Sequence, residues 1–402
     1  MSDVLYWIWL QHCIGCARCF DNVLDYFGSI EAFYESNYLQ KKCCPELNDN
    51  MIRKSEEFTL NDAKKIVDKC KKNGWNIITY EDSEYPVKLK NIYNPPAVLY
   101  VSGNLPDIDN VLTFGSVGTR KASPYALKAS KVIAKGVARC GAVVVSGGAL
   151  GIDTASHEGA LEGGGKTVAV LGCGLGANYL MSNADLRRRI AANGALISEY
   201  PPGTQASKYT FPARNRIISG LSDAVFVAEA GIKSGSLITA SFAADQGRDI
   251  FVLPSSIFDT GFNGTNKLIE DGAVPVTSMN VILSDYKEKY RTLDISKSAS
   301  FEELLSDEYK ERDIPFEKDE QLSFDKIDEQ RDNQDKMTQP AAKISGNEKA
   351  VYDALTDGYT DIDSIAARAN LDMKDVLMSL TMLELDGLAE AGIGKRYRKK
   401  QA

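Results

Sequence analysis

The sequence predicts an α/β protein built on a mostly parallel sheet, with a small helical domain before it and a second helical domain after it. Near-continuous apolar runs alternate with helical segments through the centre of the chain, which is typical of parallel strands buried on both faces. Short apolar groups punctuated by glycine fill residues 1–72. Three helical patterns and a small hairpin fill residues 344–402, an order typical of a winged helix.

Length and composition are those of a globular protein with more than one domain. The chain has 402 residues, of which 44% are hydrophobic and 25% are charged. Such a length exceeds one ordinary core and predicts two to three domains. No apolar run approaches the ~20 residues that a membrane span needs, and the N-terminus lacks the pattern of a signal peptide. We therefore expect a cytoplasmic protein without a membrane span.

The central domain, expected at residues 73–284, alternates strands with helices. Two β-rich runs at 75–80 and 98–101 precede the alternation. The further strands are expected at 111–114, 142–145, 168–171, 195–197, 224–227 and 250–253. The helices between them are expected at 122–139, 153–162, 184–193, 213–221 and 236–247. Loops that follow parallel strands gather on one edge of the sheet, so one composite site is expected there.

Three of these loops are rich in glycine and serine. They contain Gly115-Ser116-Val117-Gly118-Thr119-Arg120, Ser146-Gly147-Gly148 and Ser234-Gly235-Ser236. Small residues let backbone N–H groups approach an anion, and an arginine adds a planar fork that fits phosphate. The alternative for each loop is an ordinary turn or helix cap. We expect the three loops together to bind phosphate groups.

The segment 208–216 concentrates cations around an aromatic ring. Lys208, Arg214 and Arg216 flank Phe211, and Asn215 adds an amide. Cations suit phosphates and a ring suits a nucleobase, with stacking of roughly 1–3 kcal/mol per base. The alternative is that Phe211 belongs to the core and one arginine pairs with Glu229. We favour an interface for a single polynucleotide strand.

The net charge of −8 is unevenly distributed. Residues 285–340 hold 17 acidic and 10 basic residues, whereas residues 111–276 hold 16 basic and 12 acidic ones. Because a phosphate responds to charges within a Debye length of roughly 8–10 Å, the local balance matters more than the total. We expect residues 285–343 to form an acidic linker.

Other candidate sites have competing interpretations. Cys13, Cys16 and Cys19 have the spacing of a metal or cluster site, or are packed helix residues. His157 is either half of an acid–base pair or a packed, hydrogen-bonded side chain, which we favour. No catalytic constellation is recognisable, so binding is favoured over catalysis and no cofactor is expected. The basic end of the last domain indicates either duplex-DNA binding or a protein-docking or dimer-stabilising domain with a solvated tail.

Several long motifs then indicate a family. Ser146-Gly-Gly-Ala-Leu-Gly-Ile-Asp-Thr-Ala-Ser-His157, Ser198-Glu-Tyr-Pro-Pro-Gly203, Phe211-Pro-Ala-Arg-Asn-Arg-Ile-Ile-Ser-Gly-Leu221 and Ser234-Gly-Ser-Leu-Ile-Thr239 resemble the DNA-processing protein A (DprA/Smf) family. The resemblance implies an extended Rossmann-like domain, a SAM-like domain at residues 1–72 and a winged helix at 344–402. It also implies a homodimer that binds single-stranded DNA, protects incoming DNA and loads RecA recombinase during natural transformation, or competence.

The resemblance also implies roles for single residues. Arg120 corresponds to the arginine that grips phosphate, and Lys208 and Phe211 correspond to the lysine and aromatic residue that contact DNA. The chain departs from the family pattern at Tyr179-Leu180, where Tyr-Pro is usual, and at Pro254-Ser255, where Pro-Gly is usual. The alternative function is a nucleotide-processing enzyme of the lysine-decarboxylase-like or phosphoribohydrolase type, with Glu158 or Glu229 as the acid. The complete predicted DNA-binding set is Gly118, Thr119, Arg120, Ser146, Gly147, Gly148, Lys208, Phe211, Arg214, Asn215, Arg216, Ser234, Gly235 and Ser236.

Overall fold

The computed structural model describes residues 3–16, 18–310, 346–385, 388–392 and 396–400. Two compact units divide the chain, Met1–Asp313 and Ile314–Ala402. No helix in the described ranges is both long and apolar enough to cross a membrane.

In the described part of residues 1–72, six helices form the N-terminal part of the first unit and share their core with the sheet. They are α1 (Val4–Ile14), α2 (Asp21–Phe27), α3 (Ile30–Glu35), α4 (Tyr38–Lys42), α5 (Asp49–Glu57) and α6 (Leu60–Lys72). Trp7 and Trp9 of α1 are fully buried in one apolar cluster that also contains Tyr100 from the sheet. Gln11 donates to the Glu199 carbonyl at 2.9 Å and accepts from the Tyr100 hydroxyl at 3.1 Å. The predicted helical N-terminus is therefore correct, and it packs directly on the sheet.

A nine-stranded sheet organises the rest of this unit. Its strands are β1 (Asn76–Thr79), β2 (Val98–Gly103), β3 (Thr113–Val117), β4 (Val143–Ser146), β5 (Thr167–Val170), β6 (Gly194–Ser198), β7 (Ala224–Val227), β8 (Asp249–Val252) and β9 (Val274–Pro275). The spatial order is β1-β2-β6-β5-β4-β3-β7-β8-β9. The run from β6 to β9 is parallel, whereas β2 lies antiparallel to both β1 and β6. The predicted, mostly parallel sheet is confirmed.

Helices cover both faces of this sheet. They are α7 (Val87–Lys90), α8 (Pro124–Arg139), α9 (Ile152–Glu162), α10 (Ala184–Ala192), α11 (Thr210–Leu221), α12 (Gly235–Asp245), α13 (Asn263–Glu270) and α14 (Met279–Leu283). Successive strand residues alternate between two cores, as the two-residue period of a strand requires. Val144 lies in the cluster that includes α8, and Val143 and Val145 lie in the cluster that includes α11. Burying each such side chain contributes roughly 1.5–3 kcal/mol.

The strand order reverses its direction at β3. From β3 the chain adds β4, β5 and β6 on one side and later places β7 and β8 on the other. A reversal of this kind leaves a crevice at the carboxyl ends of the two central strands, where α/β proteins commonly bind ligands. The loops after β3 and β7 therefore border the natural site of this fold.

The predicted linker is wrong for residues 285–310. A last helix of the unit, α15 (Phe301–Lys310), lies in this segment. Tyr286, Tyr290, Leu293 and Leu304 are buried in the same cluster as α8. These apolar residues lie mostly three or four positions apart, so their side chains face the core while the intervening charges face solvent. The rest of the predicted linker, at 311–343, lies outside the described residues.

The second unit has the predicted winged-helix elements. It contains α16 (Asn347–Ala354), α17 (Ile362–Ala369) and α18 (Met373–Leu385), with strands β10 (Thr360–Asp361), β11 (Ala389–Gly392) and β12 (Arg396–Lys399) in the order β10-β12-β11. Val351, Ile365, Leu380 and Leu383 are fully buried and form its core.

Candidate nucleic-acid interface

The loop after β3 carries an exposed arginine on a fixed backbone. The Thr119 amide donates to the Glu229 carbonyl at 2.9 Å, which joins this loop to the one after β7. The Glu229 carboxylate accepts from the Ser123 amide at 2.8 Å and from its hydroxyl at 2.7 Å, so it holds the start of α8. Arg120 projects from this braced loop and is exposed. Because Thr119 uses its amide here, that N–H group is not available to an anion.

The start of α11 places an aromatic ring next to Arg120. Ser207 and Thr210 exchange hydrogen bonds of 3.1 and 3.3 Å that fix the first turn, which also contains Pro212 as predicted. Phe211 is half-buried, and the Arg120 guanidinium carbon lies 4.7 Å from the centre of its ring. Lys208 precedes the helix and is exposed. The structure therefore brings Arg120 and Phe211 into contact, with Lys208 one turn away along the chain.

Two residues outside the predicted set continue this arrangement. The ring of Tyr179 lies 5.3 Å from that of Phe211, and the guanidinium carbon of Arg187 on α10 lies 5.9 Å from the Tyr179 ring. Arg120, Phe211, Tyr179 and Arg187 thus form a continuous series, which we call the cation–aromatic row. One sequence signal could have found it, because Tyr179 lies in the glycine-rich loop after β5.

Arg214 is not part of the surface. It is 5% exposed, and its Nη1 donates to the carbonyl of Gly147 at 2.7 Å and to that of Val170. Asp153 lies next to it, and burial raises the pKa of that carboxyl while Arg214 opposes the rise. The inner face of α11 packs on β4 and β5, which turns this side chain inward. Burial therefore removes Arg214 from the exposed surface at which it was predicted to contact DNA.

Arg216 is also buried, at 4% exposure. Its guanidinium binds both oxygens of Glu199, at 2.7 and 3.0 Å, and its Nε donates to the Asn94 carbonyl at 3.0 Å. The predicted alternative, an arginine paired with a glutamate, is correct in kind, although the acid is Glu199 and not Glu229. With its guanidinium bound to Glu199 and to the carbonyls of Asn94 and Ala213 inside the protein, Arg216 is not at the exposed surface where it was predicted to contact DNA.

The loop 146–148 is buried as well. The Ser146 hydroxyl donates to the Ser116 carbonyl at 2.6 Å, and Gly147 accepts from Arg214. A Cβ on Gly147 would collide with the Arg214 guanidinium and the Asp153 carboxylate. Ser146, Gly147 and Gly148 therefore stabilise the sheet edge from inside and are not exposed, contrary to the surface position predicted for them.

The third glycine–serine loop is a helix cap. Ser234 caps α12 by accepting from the Ser236 amide at 3.4 Å, and Ser236 is buried. The Asn215 amide donates to the Gly235 carbonyl at 3.2 Å, which ties α11 to the start of α12. Gly235 is exposed and Ser234 and Asn215 are half-buried, whereas Ser236 faces inward, contrary to its predicted role.

His157 is a packed residue, as favoured from the sequence. It is fully buried and its Nδ1 lies 2.7 Å from the Thr167 hydroxyl, which itself donates to the Val144 carbonyl at 2.8 Å. Burial lowers the pKa of His157 to about 3. The imidazole is thus neutral at physiological pH and fixed in the core.

The three cysteines contact different partners. Cys13 is buried in the helical core, and burial raises the pKa of its thiol. The Cys16 sulfur lies 3.6 Å from the Glu199 carbonyl, and the Cys19 sulfur lies 3.7 Å from the Asp21 carboxylate. In the described part of the chain, no three His, Cys, Asp or Glu side chains are grouped to hold a metal ion.

A basic groove of about 690 Å³ extends from Arg120 between α8 and α9. Lys121, Lys128 and Lys131 line it, and Glu158 is its acidic side chain. Lys131 also pairs with Glu162 at 2.9 Å. The loop edge therefore combines exposed cations with aromatic rings, which is the chemistry of a surface for single-stranded nucleic acid.

Known proteins are similar to this chain in sequence and fold. Residues 76–287 match the family described as DNA recombination-mediator protein A, and residues 335–395 match the DprA winged helix domain. Protein Smf of Synechocystis is 34% identical over 80% of each chain, and DNA processing protein DprA of Bacillus subtilis is 40% identical over 54% of this chain and 74% of its own. The X-ray structure of DNA processing protein A from Streptococcus pneumoniae is 34% identical, with a TM-score of 0.61, and the match covers 71% of this chain and 99% of that one.

Proposed function

This chain belongs to the DNA-processing protein A (DprA/Smf) family of recombination mediators, and on that premise we propose that it binds single-stranded DNA at the carboxyl edge of its sheet. The observation that carries the proposal is the contact of the exposed Arg120 with Phe211, at the crevice where the strand order reverses. Arginine binds phosphate through a planar fork, and an aromatic ring stacks on any base. Together they suit a strand of any sequence.

The contact also indicates how the site responds to DNA. In the free protein the Arg120 guanidinium covers the Phe211 ring. We propose that Arg120 turns to a phosphate when DNA binds and leaves the ring to a base. Because the backbone of residue 119 is tied to Glu229, this change needs only side-chain rotation.

Binding without catalysis is the function that the carboxylates support best. The Glu229 oxygen Oε2 already accepts two hydrogen bonds from Ser123, so this acid holds α8 in place. Glu158 lines the basic groove, where its charge has lysines around it. No observation favours the nucleotide-processing alternative.

The finer parts of the proposal come from the family. We propose that the protein acts as a homodimer and loads RecA recombinase on incoming single strands during natural transformation. The single strand and the recombinase meet in the cytoplasm, which is where we place this activity. Size measurements and RecA-filament assays with the purified chain test these parts separately from DNA binding.

The experiment measures single-strand affinity at several salt concentrations for Arg120→Ala, Lys208→Ala and Phe211→Ala. Each lost phosphate contact should reduce the slope of log affinity against log salt by about 0.7, whereas Phe211→Ala should weaken binding by roughly 1–3 kcal/mol without changing the slope. Arg53→Ala is the matched control, because this exposed arginine pairs with Glu57 on α5 in the N-terminal helices. Wild-type affinity and slope in the first three variants would refute the proposed site.

Arg216→Ala separates structural from DNA-binding arginines. Removing one partner of a buried pair typically costs 3–5 kcal/mol, so this variant should lose stability of that order. Arg120→Ala should unfold like the wild-type protein and lose only affinity. Denaturant titration of both variants provides the measurement, and a stable Arg216→Ala protein with reduced affinity would contradict the assignment.

A further inference from the structure

Arg187 ends the cation–aromatic row, and among the described residues no carboxylate forms an ion pair with it. Its side chain is half-buried, and its Nε and Nη2 atoms are enclosed. Within the described residues, neither nitrogen has a hydrogen-bond partner. The next residue on the same helix, Arg188, is exposed and pairs with Asp185 at 2.8 Å. Two adjacent arginines thus have opposite environments.

Two enclosed guanidinium nitrogens without acceptors call for a physical explanation. Buried N–H groups in proteins are nearly always paired, and a charged group pays more for desolvation than a neutral one. Burial lowers the pKa of Arg187, in keeping with a cation that has no carboxylate beside it. An anionic ligand supplies the missing acceptors and the missing negative charge.

The loop that holds Tyr179 beside Arg187 is strained at one residue. Leu180 has φ of 46°, a left-handed conformation that branched side chains rarely adopt. The loop is anchored beyond it by Asn183, whose amide donates to the Thr154 hydroxyl at 2.9 Å. Such strain gathers at functional sites, where the surrounding structure maintains it. The Tyr179 hydroxyl, too, is enclosed without a hydrogen-bond partner in the described chain.

We propose that Arg187 binds a second phosphate of the same DNA strand, at the opposite end of the row from Arg120. The proposal rests on the single-strand binding proposed above. Two rings separate the two arginines, so two bases can stack while the flanking phosphates meet the guanidinium groups. A base that stacks on Tyr179 draws this ring away from Arg187 and opens its N–H groups to the phosphate.

The test compares Arg187→Met with Arg188→Met in single-strand titrations at several salt concentrations. Methionine keeps an apolar stem against Tyr179 and removes the charge. We expect Arg187→Met to weaken binding of a strand of about ten nucleotides roughly tenfold and to reduce the salt slope by about 0.7. Arg187→Lys should restore the slope and only part of the affinity, because lysine lacks the planar fork. Arg188→Met should match the wild-type protein.

Two further measurements separate the second phosphate site from the rest of the interface: binding of a dinucleotide, and binding of the longer strand by Arg120→Ala. A dinucleotide is too short to reach both arginines, so Arg187→Met should bind it as the wild-type protein does. A wild-type slope in Arg187→Met, with or without weaker binding, overturns this inference. If Arg120→Ala loses affinity while Arg187→Met does not, only the second phosphate site is refuted. If neither variant changes binding, the proposed function is refuted as well.

Discussion

At the scale of single residues, cations close together in the sequence have different roles. Arg214 and Arg216 lie on the inner face of α11 and bind carbonyl and carboxylate oxygens of the protein. Arg120 and Lys208 are exposed at the sheet edge. The exposed positive charge is therefore smaller than the segment 208–216 indicates, and Arg120 comes from another loop. The sequence shows how many charged residues lie close together along the chain, whereas burial decides which of them are exposed to a ligand.

Asp223 is a buried carboxylate whose ionisation should stabilise the fold. Its carboxylate is buried, where Lys88 lies 2.6 Å from one oxygen and the Tyr290 hydroxyl lies 2.6 Å from the other. Burial acts to raise its pKa, but Lys88, Tyr290 and the Thr113 amide outweigh burial and lower the pKa from 3.8 to about 2. A lowered folded-state pKa means that the ionised form stabilises the fold above the unfolded pKa.

The corresponding prediction concerns acid. The contribution of Asp223, about 2 kcal/mol from this pKa change, should be complete above about pH 5 and lost as the pH falls through about 4 towards 2. Unfolding free energies of the wild-type protein and Asp223→Asn should therefore converge by that amount over this range. Asp271→Asn, on an exposed ion pair with Lys267, serves as the control. A constant difference at every pH would contradict the prediction.

At the scale of elements, the segment after α14 belongs to the folded domain. Tyr286, Tyr290, Leu293 and Leu304 are buried against α8, and Tyr290 donates to Asp223. Burying each large apolar side chain contributes roughly 1.5–3 kcal/mol. The four together therefore contribute an amount of the same order as the whole net stability of an ordinary domain. The acidic composition of the segment hid this short apolar pattern.

Two truncations test the role of this element. A chain that ends after Ser284 should lose at least about 4 kcal/mol of stability, because α8 loses its cover. A chain that ends after Lys310 should keep the stability of the first unit, because it retains α15. Denaturant titrations of the two chains give the comparison. Equal stability of both would show that the segment contributes nothing to the core.

At the scale of the whole molecule, the proposed DNA site lies within the first unit. Every residue of the cation–aromatic row belongs to Met1–Asp313. In the second unit, Arg398 pairs with Glu390 at 2.8 Å and lies 4.7 Å from the Tyr359 ring, so this basic side chain is already engaged.

Removing residues 341–402 should therefore leave single-strand affinity within a factor of about two, since no proposed contact is lost. The same deletion decides between the two interpretations of the winged helix. A loss of duplex affinity would support duplex binding, and unchanged duplex affinity would support a docking role. A large loss of single-strand affinity would contradict the placement of the site in the first unit.

The class of fold could be predicted from the sequence because it depends on periodicity. Apolar runs and the helical patterns between them predicted the mostly parallel sheet, the helical N-terminus and the winged helix. Element ends were less certain: the first central strand lies at Thr113–Val117 and not at 111–114, so Gly115 and Ser116 belong to the strand and not to the loop. The linker predicted from composition was also wrong for residues 285–310, because net charge does not reveal which side chains face the core.

By itself, the sequence determined this protein's architecture, its family and the chemistry of its loop edge, because periodicity and long motifs are local properties of the chain. Only the tertiary structure decided which members of the site face outward. It buried Arg214, Arg216 and the loop 146–148, and it added Tyr179 and Arg187 to Arg120 and Phe211. The physical reason is that a side chain's solvent contact depends on how helices pack on the sheet, which joins residues far apart in the chain.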